Sequence, residues 1–180
     1  MLKLRYYGDP ILRKQCEPVN VFDDELKRFI DEMKETMREN DGAGLAANQV
    51  GKSVRCVVID PSGEGNEAVV FINPEFTYMS DDKIVHEEGC LSFPDLHIDV
   101  TRSEKVSVKA FDENGHEFVI ENAEGLLSRA LQHETDHLNG LYIIDHISLL
   151  QRKLLKGKLK EISEMNFSET ALSDEKANSL

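Results

Sequence analysis

A chain of 180 residues with 40% hydrophobic and 31% charged side chains has the composition of one globular domain large enough for a real core. Its formal net charge of −13 argues against nonspecific nucleic-acid binding by the molecule as a whole, and no apolar run approaches the roughly 18 residues of a membrane span. Three cysteines are too few, and odd in number, for a disulfide framework, and the first ten residues carry neither an h-region nor a basic leader, so a reducing, cytoplasmic location is expected.

In chain order, residues 5–19 hold a turn at Gly8-Asp9-Pro10 and a second proline at Pro18. A helix is predicted over 23–40, with Leu26, Phe29, Ile30, Met33 and Met37 forming an amphipathic stripe that reads as core. Asp41-Gly42 ends it. The small residues of Gly42-Ala43-Gly44-Leu45-Ala46-Ala47-Asn48-Gln49 predict a loop passing tightly over something large, and Gln49 is a candidate amide donor. A phosphate-binding loop is disfavoured because no Lys-Ser/Thr follows.

Short β-type runs follow at 54–59, 68–72, 83–86, 96–100, 106–111 and 117–120, separated by Gly, Pro, Asn and Asp. Residues 61–66 read as a loop tip and 112–115 as a hairpin turn. Glu88-Gly89-Cys90-Leu91-Ser92 reads as a polar-flanked turn between two runs. A second helix should start at Asn122 as N-cap and end at Gly140, followed by one more strand at 141–144. A final helix over 148–165 carries Leu150, Leu154, Leu155, Leu159 and Ile162 on one side, and 166–180 reads as a disordered tail. The fold class is α+β: antiparallel β-sheets packed around a central helix, with an N-terminal and a C-terminal helix, in one domain over 1–165.

The chemistry lies in the central helix. His133 and His137, four apart, project within about 40° of each other one turn apart, so both can reach one ion, and Glu134 between them can touch a water beside it. Leu126, Ala130 and His137 share the direction of His133, while Ser128, Gln132 and Thr135 point the other way. Two histidines leave the ligand set incomplete. A third histidine six residues after the second is ruled out by Ile143. Glu161 or Glu164 downstream, or the thiolate of Cys90, could complete it.

With Gly42–Gln49, Glu88–Ser92 and Gln132–Gly140 together, the sequence resembles the peptide deformylases, whose three motifs read Gly-x-Gly-x-Ala-Ala-x-Gln, Glu-Gly-Cys-Leu-Ser and Gln-His-Glu-x-Asp-His-Leu-x-Gly. The resemblance implies removal of the formyl group from N-terminal methionine of new proteins. It implies Cys90, His133 and His137 as ligands of one divalent metal, Fe²⁺ in the cell with Zn²⁺, Ni²⁺ or Co²⁺ able to substitute. It implies that Glu134 moves the proton between water and leaving amine, and that the Leu91 N–H and the Gln49 amide stabilise the oxyanion. Gly44 and Ala46 suit a tight ceiling over the formyl group, and Ala43 and Ala130 should border the methionine side chain. Ala43, where relatives more often carry a branched apolar residue, and His97, where many carry arginine or glycine, depart from the family pattern.

The competing expectation is a zinc endopeptidase with a downstream Glu as third ligand. Cys16 and Cys56 read as ordinary thiols, and His86, His116 and His146 as surface or strand-end residues. Formylmethionyl nascent peptides are the expected partners. Arg152, Lys153, Lys156 and Lys160, gathered on one side of the last helix, suggest a contact with the ribosome.

Overall fold

The computed structural model describes residues 1–63 and 68–177, the side chains of 167–177 excepted. Helix α1 (Asp24–Glu39) starts where the Asp23 carboxylate accepts the Leu26 N–H at 2.9 Å, with Asp24 and Glu25 in the first turn. Strand β1 (Gly44–Ala46) follows, then a 3-10 turn (Ala47–Val50), β2 (Cys56–Ile59), β3 (Val69–Met79), β4 (Lys83–Cys90), β5 (Phe93–Ser103), β6 (Val106–Phe111) and β7 (Glu117–Ala123). Helix α2 (Gly125–Leu138), a 3-10 turn (Ile143–His146), α3 (Leu149–Leu154) and α4 (Lys156–Ala177) complete the chain. This is the expected α+β class.

Five strands form one antiparallel sheet in the order β1-β2-β3-β6-β7, and β4 and β5 form a separate hairpin. The two-residue period of β2 sends Cys56 and Val58 to one face and Val57 and Ile59 to the other. The first face packs on the α1 stripe, Leu26, Phe29, Ile30, Met33 and Met37. The second packs on Ala130, Leu131 and Leu138 of α2. Helix α2 is therefore held between the large sheet and the hairpin. A third cluster, built from Phe93, Leu96 and Val100 of the hairpin with Leu12, Ile143, Ile144, Leu159 and Ile162, ties the C-terminal part to β5.

Several elements differ from expectation. Motif residues Gly44–Ala46 form an edge strand rather than a loop, paired with Ile59, Val58 and Val57. Helix α2 starts at Gly125 with Glu124, not Asn122, as N-cap; Asn122 is still in β7, its N–H held by the Ser107 hydroxyl at 3.0 Å. Gly140 does follow the helix end with a left-handed φ of 72°, as a C′ glycine should. Ser128, Gln132 and Thr135, on the side of α2 away from the ligands, are buried as well, and the Gln132 amide bonds both the N–H and the carbonyl of Ser103.

Residues 141–144 form no strand. The Asp145 carboxylate accepts the Tyr142 N–H at 2.7 Å and pairs with Arg13 and Arg152, curling this short apolar run into a 3-10 turn. The last helix is broken at Leu155, and Leu150 and Leu154 are 68% and 78% exposed; of the leucine stripe, Leu159 and Ile162 are buried in the core and Leu155 packs against it, half-buried. Helical backbone continues to Ala177, through most of the span expected to be disordered. Residues 64–66 of the expected loop tip and 178–180 of the expected tail lie outside the described residues.

Candidate active site

Cys90 is the last residue of β4, placed after a register shift between Gly89 and Cys90 that re-aims the strand end toward α2. The candidate ligand atoms of Cys90, His133 and His137 all lie within 4.8 Å of one another, and the Cys90 Sγ is 3.2 Å from His137 Nε2. Both imidazoles are buried. The His133 Nδ1 is engaged by Glu88 Oε2 at 2.9 Å, which leaves Nε2 as the nitrogen available to a metal. Burial and the neighbouring His133 push the His137 pKa well down, favouring the neutral imidazole that metal binding requires. A thiolate and two imidazoles converging this closely fit one divalent ion, with a position left for a further ligand.

Around these donors lies a cavity of about 530 Å³. Its wall includes Ala43, Gly44, Gln49, Cys90, Leu91, Ala130, His133 and Glu134, so the structure gathers the residues singled out in all three motifs. Glu134 is 4% exposed, and its Oε2 has no hydrogen-bond partner among the described residues. Burial raises its pKa to about 7, against the opposing pull of His133. The Gln49 amide has a fixed sense: Oε1 accepts the Ala46 N–H at 2.9 Å, and Nε2 donates to Ser92 Oγ at 3.1 Å, within 3.6 Å of the Cys90 sulfur. Its donor end thus faces the metal-binding cluster.

The support behind the ligands was not foreseen. Glu88, 5% exposed, accepts Arg102 Nε and Nη2 at 3.0 and 2.9 Å and Arg129 Nη1 at 2.6 Å as well as His133. Burial opposes its ionisation, but the bonds from His133 and Arg102 hold its pKa well below the usual carboxylate range. Arg102 also pairs with Asp136, which His146 Nε2 meets at 2.7 Å. Arg129 lines the cavity while its guanidinium bonds the carbonyls of Val100 and Ile84. The adjacency of Glu88 to Gly89-Cys90 was a usable signal; nothing local in the sequence marked Arg102 or Arg129 as its partners.

The other candidates fall elsewhere. Glu161 and Glu164 are exposed and pair with Lys158 and Lys160 on their own helix, away from the donor cluster. Cys16 and Cys56 are buried, and burial pushes the Cys56 thiol up to about 12. His86 and His116 are exposed, the latter beside Asp112 in its hairpin turn. His97 stands at the cavity rim, close to Gly89.

Comparison with known proteins gives one consistent result. The family model described as polypeptide deformylase matches residues 1–153. A peptide deformylase of Thermotoga sp. (strain RQ2) is 48% identical over 163 residues, covering 91% of this chain and 97% of that protein. One from Pseudomonas aeruginosa is 45% identical over 161 residues, covering 89% and 95%. Among solved structures, a peptide deformylase from Legionella pneumophila superposes with a TM-score of 0.85 at 42% identity, covering 92% of this chain and 97% of that one. The Thermotoga maritima structure gives 0.78 at 47% identity, covering 82% and 98%.

Proposed function

The chain belongs to the polypeptide deformylase family, and on that premise we propose how its own residues carry out the family's reaction. The enzyme is a metal-dependent hydrolase that removes the formyl group from the N-terminal methionine of a peptide. One observation carries the assignment of roles: the Cys90, His133 and His137 donors converge beside a cavity lined by the buried Glu134, whose Oε2 has no hydrogen-bond partner among the described residues.

Cys90, His133 and His137 hold the metal. Fe²⁺ is the native ion in this reading, with Zn²⁺, Ni²⁺ or Co²⁺ able to replace it, since a thiolate–imidazole set accepts all four. When bound, the metal supplies Lewis acidity for a water and for the formyl carbonyl. Glu134 takes a proton from the attacking water as its oxygen bonds to the formyl carbon. As the carbon–nitrogen bond breaks, Glu134 returns that proton to the departing amine, and formate and a free N-terminus remain.

The Gln49 Nε2–H and the Leu91 N–H stabilise the oxyanion between those steps. Support for Gln49 is the fixed sense of its amide. Gly44 keeps the space over Glu134 narrow enough for a group whose carbonyl carbon bears only hydrogen. Ala43 and Ala130 line the room for the methionine side chain.

The enzyme acts in the cytoplasm on nascent peptides, and no helix among the described residues is long and apolar enough to cross a membrane. Contact with the ribosome would run through Lys153, Lys156 and Lys160. Arg152 drops out of that face because it is tied to the Ile144 carbonyl and to Asp145. Replacing the three lysines with glutamine should weaken co-sedimentation with ribosomes at low salt; unchanged sedimentation refutes the contact.

The test of the reaction is formate release from a formyl-methionyl tripeptide by metal-loaded protein, run beside an acetyl-methionyl tripeptide and a longer unformylated peptide. Formate from the first and no product from the others is expected. Internal cleavage of the unformylated peptide would support the endopeptidase reading instead.

A further inference from the structure

Asn48 is fully buried in the 3-10 turn, one residue before Gln49. Its Nδ2 donates to the main-chain carbonyl of His137 at 2.6 Å. That carbonyl, at the C-terminal end of α2, already accepts the Gly140 N–H at 3.1 Å, so it needs no second donor to avoid being stranded. Among the described residues, the buried Asn48 Oδ1 has no hydrogen-bond partner. A buried polar atom left unpaired destabilises a fold, a cost that leucine here would avoid. Asparagine is thus a poor residue for packing at this position and a good one for holding a carbonyl.

The two histidines are also supported differently. A metal-binding imidazole is normally oriented by a bond on its other ring nitrogen. His133 has that bond, from Nδ1 to Glu88. The buried His137 Nδ1 has no partner among the described residues. His137 is therefore fixed through its backbone rather than its ring.

We propose that Asn48 is a positioning residue of the metal centre, holding His137 by its carbonyl against the turn that carries Gln49. The inference rests on the reading of Cys90, His133 and His137 as ligands. It joins the metal ligand and the oxyanion donor to one rigid turn, so that they keep a common geometry.

The test compares the zinc-loaded parent with Asn48→Leu and Asn48→Ala, following transfer of zinc to excess chromogenic chelator. Loss of an outer-shell bond to a ligand side chain weakens metal affinity by about 10–100-fold; for this bond, made to the ligand's backbone, a loss of about tenfold is expected in both variants. The metal-free Asn48→Leu protein should unfold at or above the parent's temperature, because the unpaired oxygen is gone. In the cobalt-loaded form, the visible absorption band of the variants should shift, and kcat should fall with KM little changed. Release of zinc at the parent's rate overturns the proposal, as does weaker binding matched by equal destabilisation of the metal-free protein. Failure of both variants to fold overturns it too, since Asn48 would then be a packing residue. A parent that retains no zinc would refute the ligand assignment itself, which separates the two failures.

Discussion

Gly44 lies against Glu134 so closely that a Cβ added to the glycine would sit 2.5 Å from the Glu134 Oε1 and 2.9 Å from its Cγ. The first motif's edge strand thereby packs on the carboxylate of the third. The Glu134 side chain is buried, so it cannot swing into solvent to make room.

Gly44→Ala should therefore displace Glu134 or push β1 away while leaving the ligands in place. The expected outcome is a full metal complement with formate release reduced by about 10²-fold or more, since a 1 Å misplacement can cost that much. Metal content and turnover measured on the same preparation check it. Normal turnover would show that the close approach has no catalytic consequence.

The three cysteines should separate by position. Cys90→Ala removes one of three donors and should abolish stable metal binding. Cys16→Ser and Cys56→Ser should keep about one metal per chain, with Cys56→Ser less stable because a hydroxyl replaces a thiol in a fully buried site. Elemental analysis of the three proteins decides; a full complement in Cys90→Ala would remove the cysteine from the ligand set.

Ala130 borders the cavity one turn before His133 and is 7% exposed. Ala130→Phe should fill the room assigned to the methionine side chain, raising KM for formyl-methionyl peptides at least tenfold or blocking them, as overpacking of a filled space does. Steady-state kinetics across formyl-Met, formyl-Leu and formyl-Ala substrates test this. An unchanged profile would place that side chain elsewhere.

Asp145 links the N-terminal Arg13 to the 3-10 turn and α3. Burial opposes its ionisation, yet the bonds from Arg13, the Tyr142 N–H and Arg152 hold its pKa below the usual value. A carboxylate depressed on folding adds stability above its unfolded pKa, and that contribution fades as pH falls through the folded one. Asp145→Asn should thus be less stable than the parent at neutral pH, with the gap narrowing below about pH 4. Urea melts of the metal-free proteins across that range check the sign. A constant gap would mean the bonds act independently of charge.

The three motifs were legible because their chemistry is local: two histidines four apart with a carboxylate between them are a pattern that α2 alone makes spatial. The α1 stripe and the β6 strand were legible for the same reason. What the sequence hid depends on distant pairings. Glu88 is held by Arg102 and Arg129, from a neighbouring strand and from α2, and no local period marks that contact. Residues 141–144 look like a strand because a short apolar run carries no period of its own; Asp145 and two arginines decide otherwise. The leucines of α3 have helical spacing yet stay largely exposed, since the helix breaks at Leu155 before they could reach the core.

The most direct measurement is formate release from a formyl-methionyl tripeptide by metal-loaded parent and metal-loaded Glu134→Ala. All three donors remain in the variant, so it should hold metal as the parent does. Loss of positioned proton transfer should lower its kcat by about 10²–10⁴-fold, while the parent turns over freely. A Glu134→Ala protein that keeps its metal and releases formate at a rate near the parent's would contradict the role of Glu134 on which the mechanism stands.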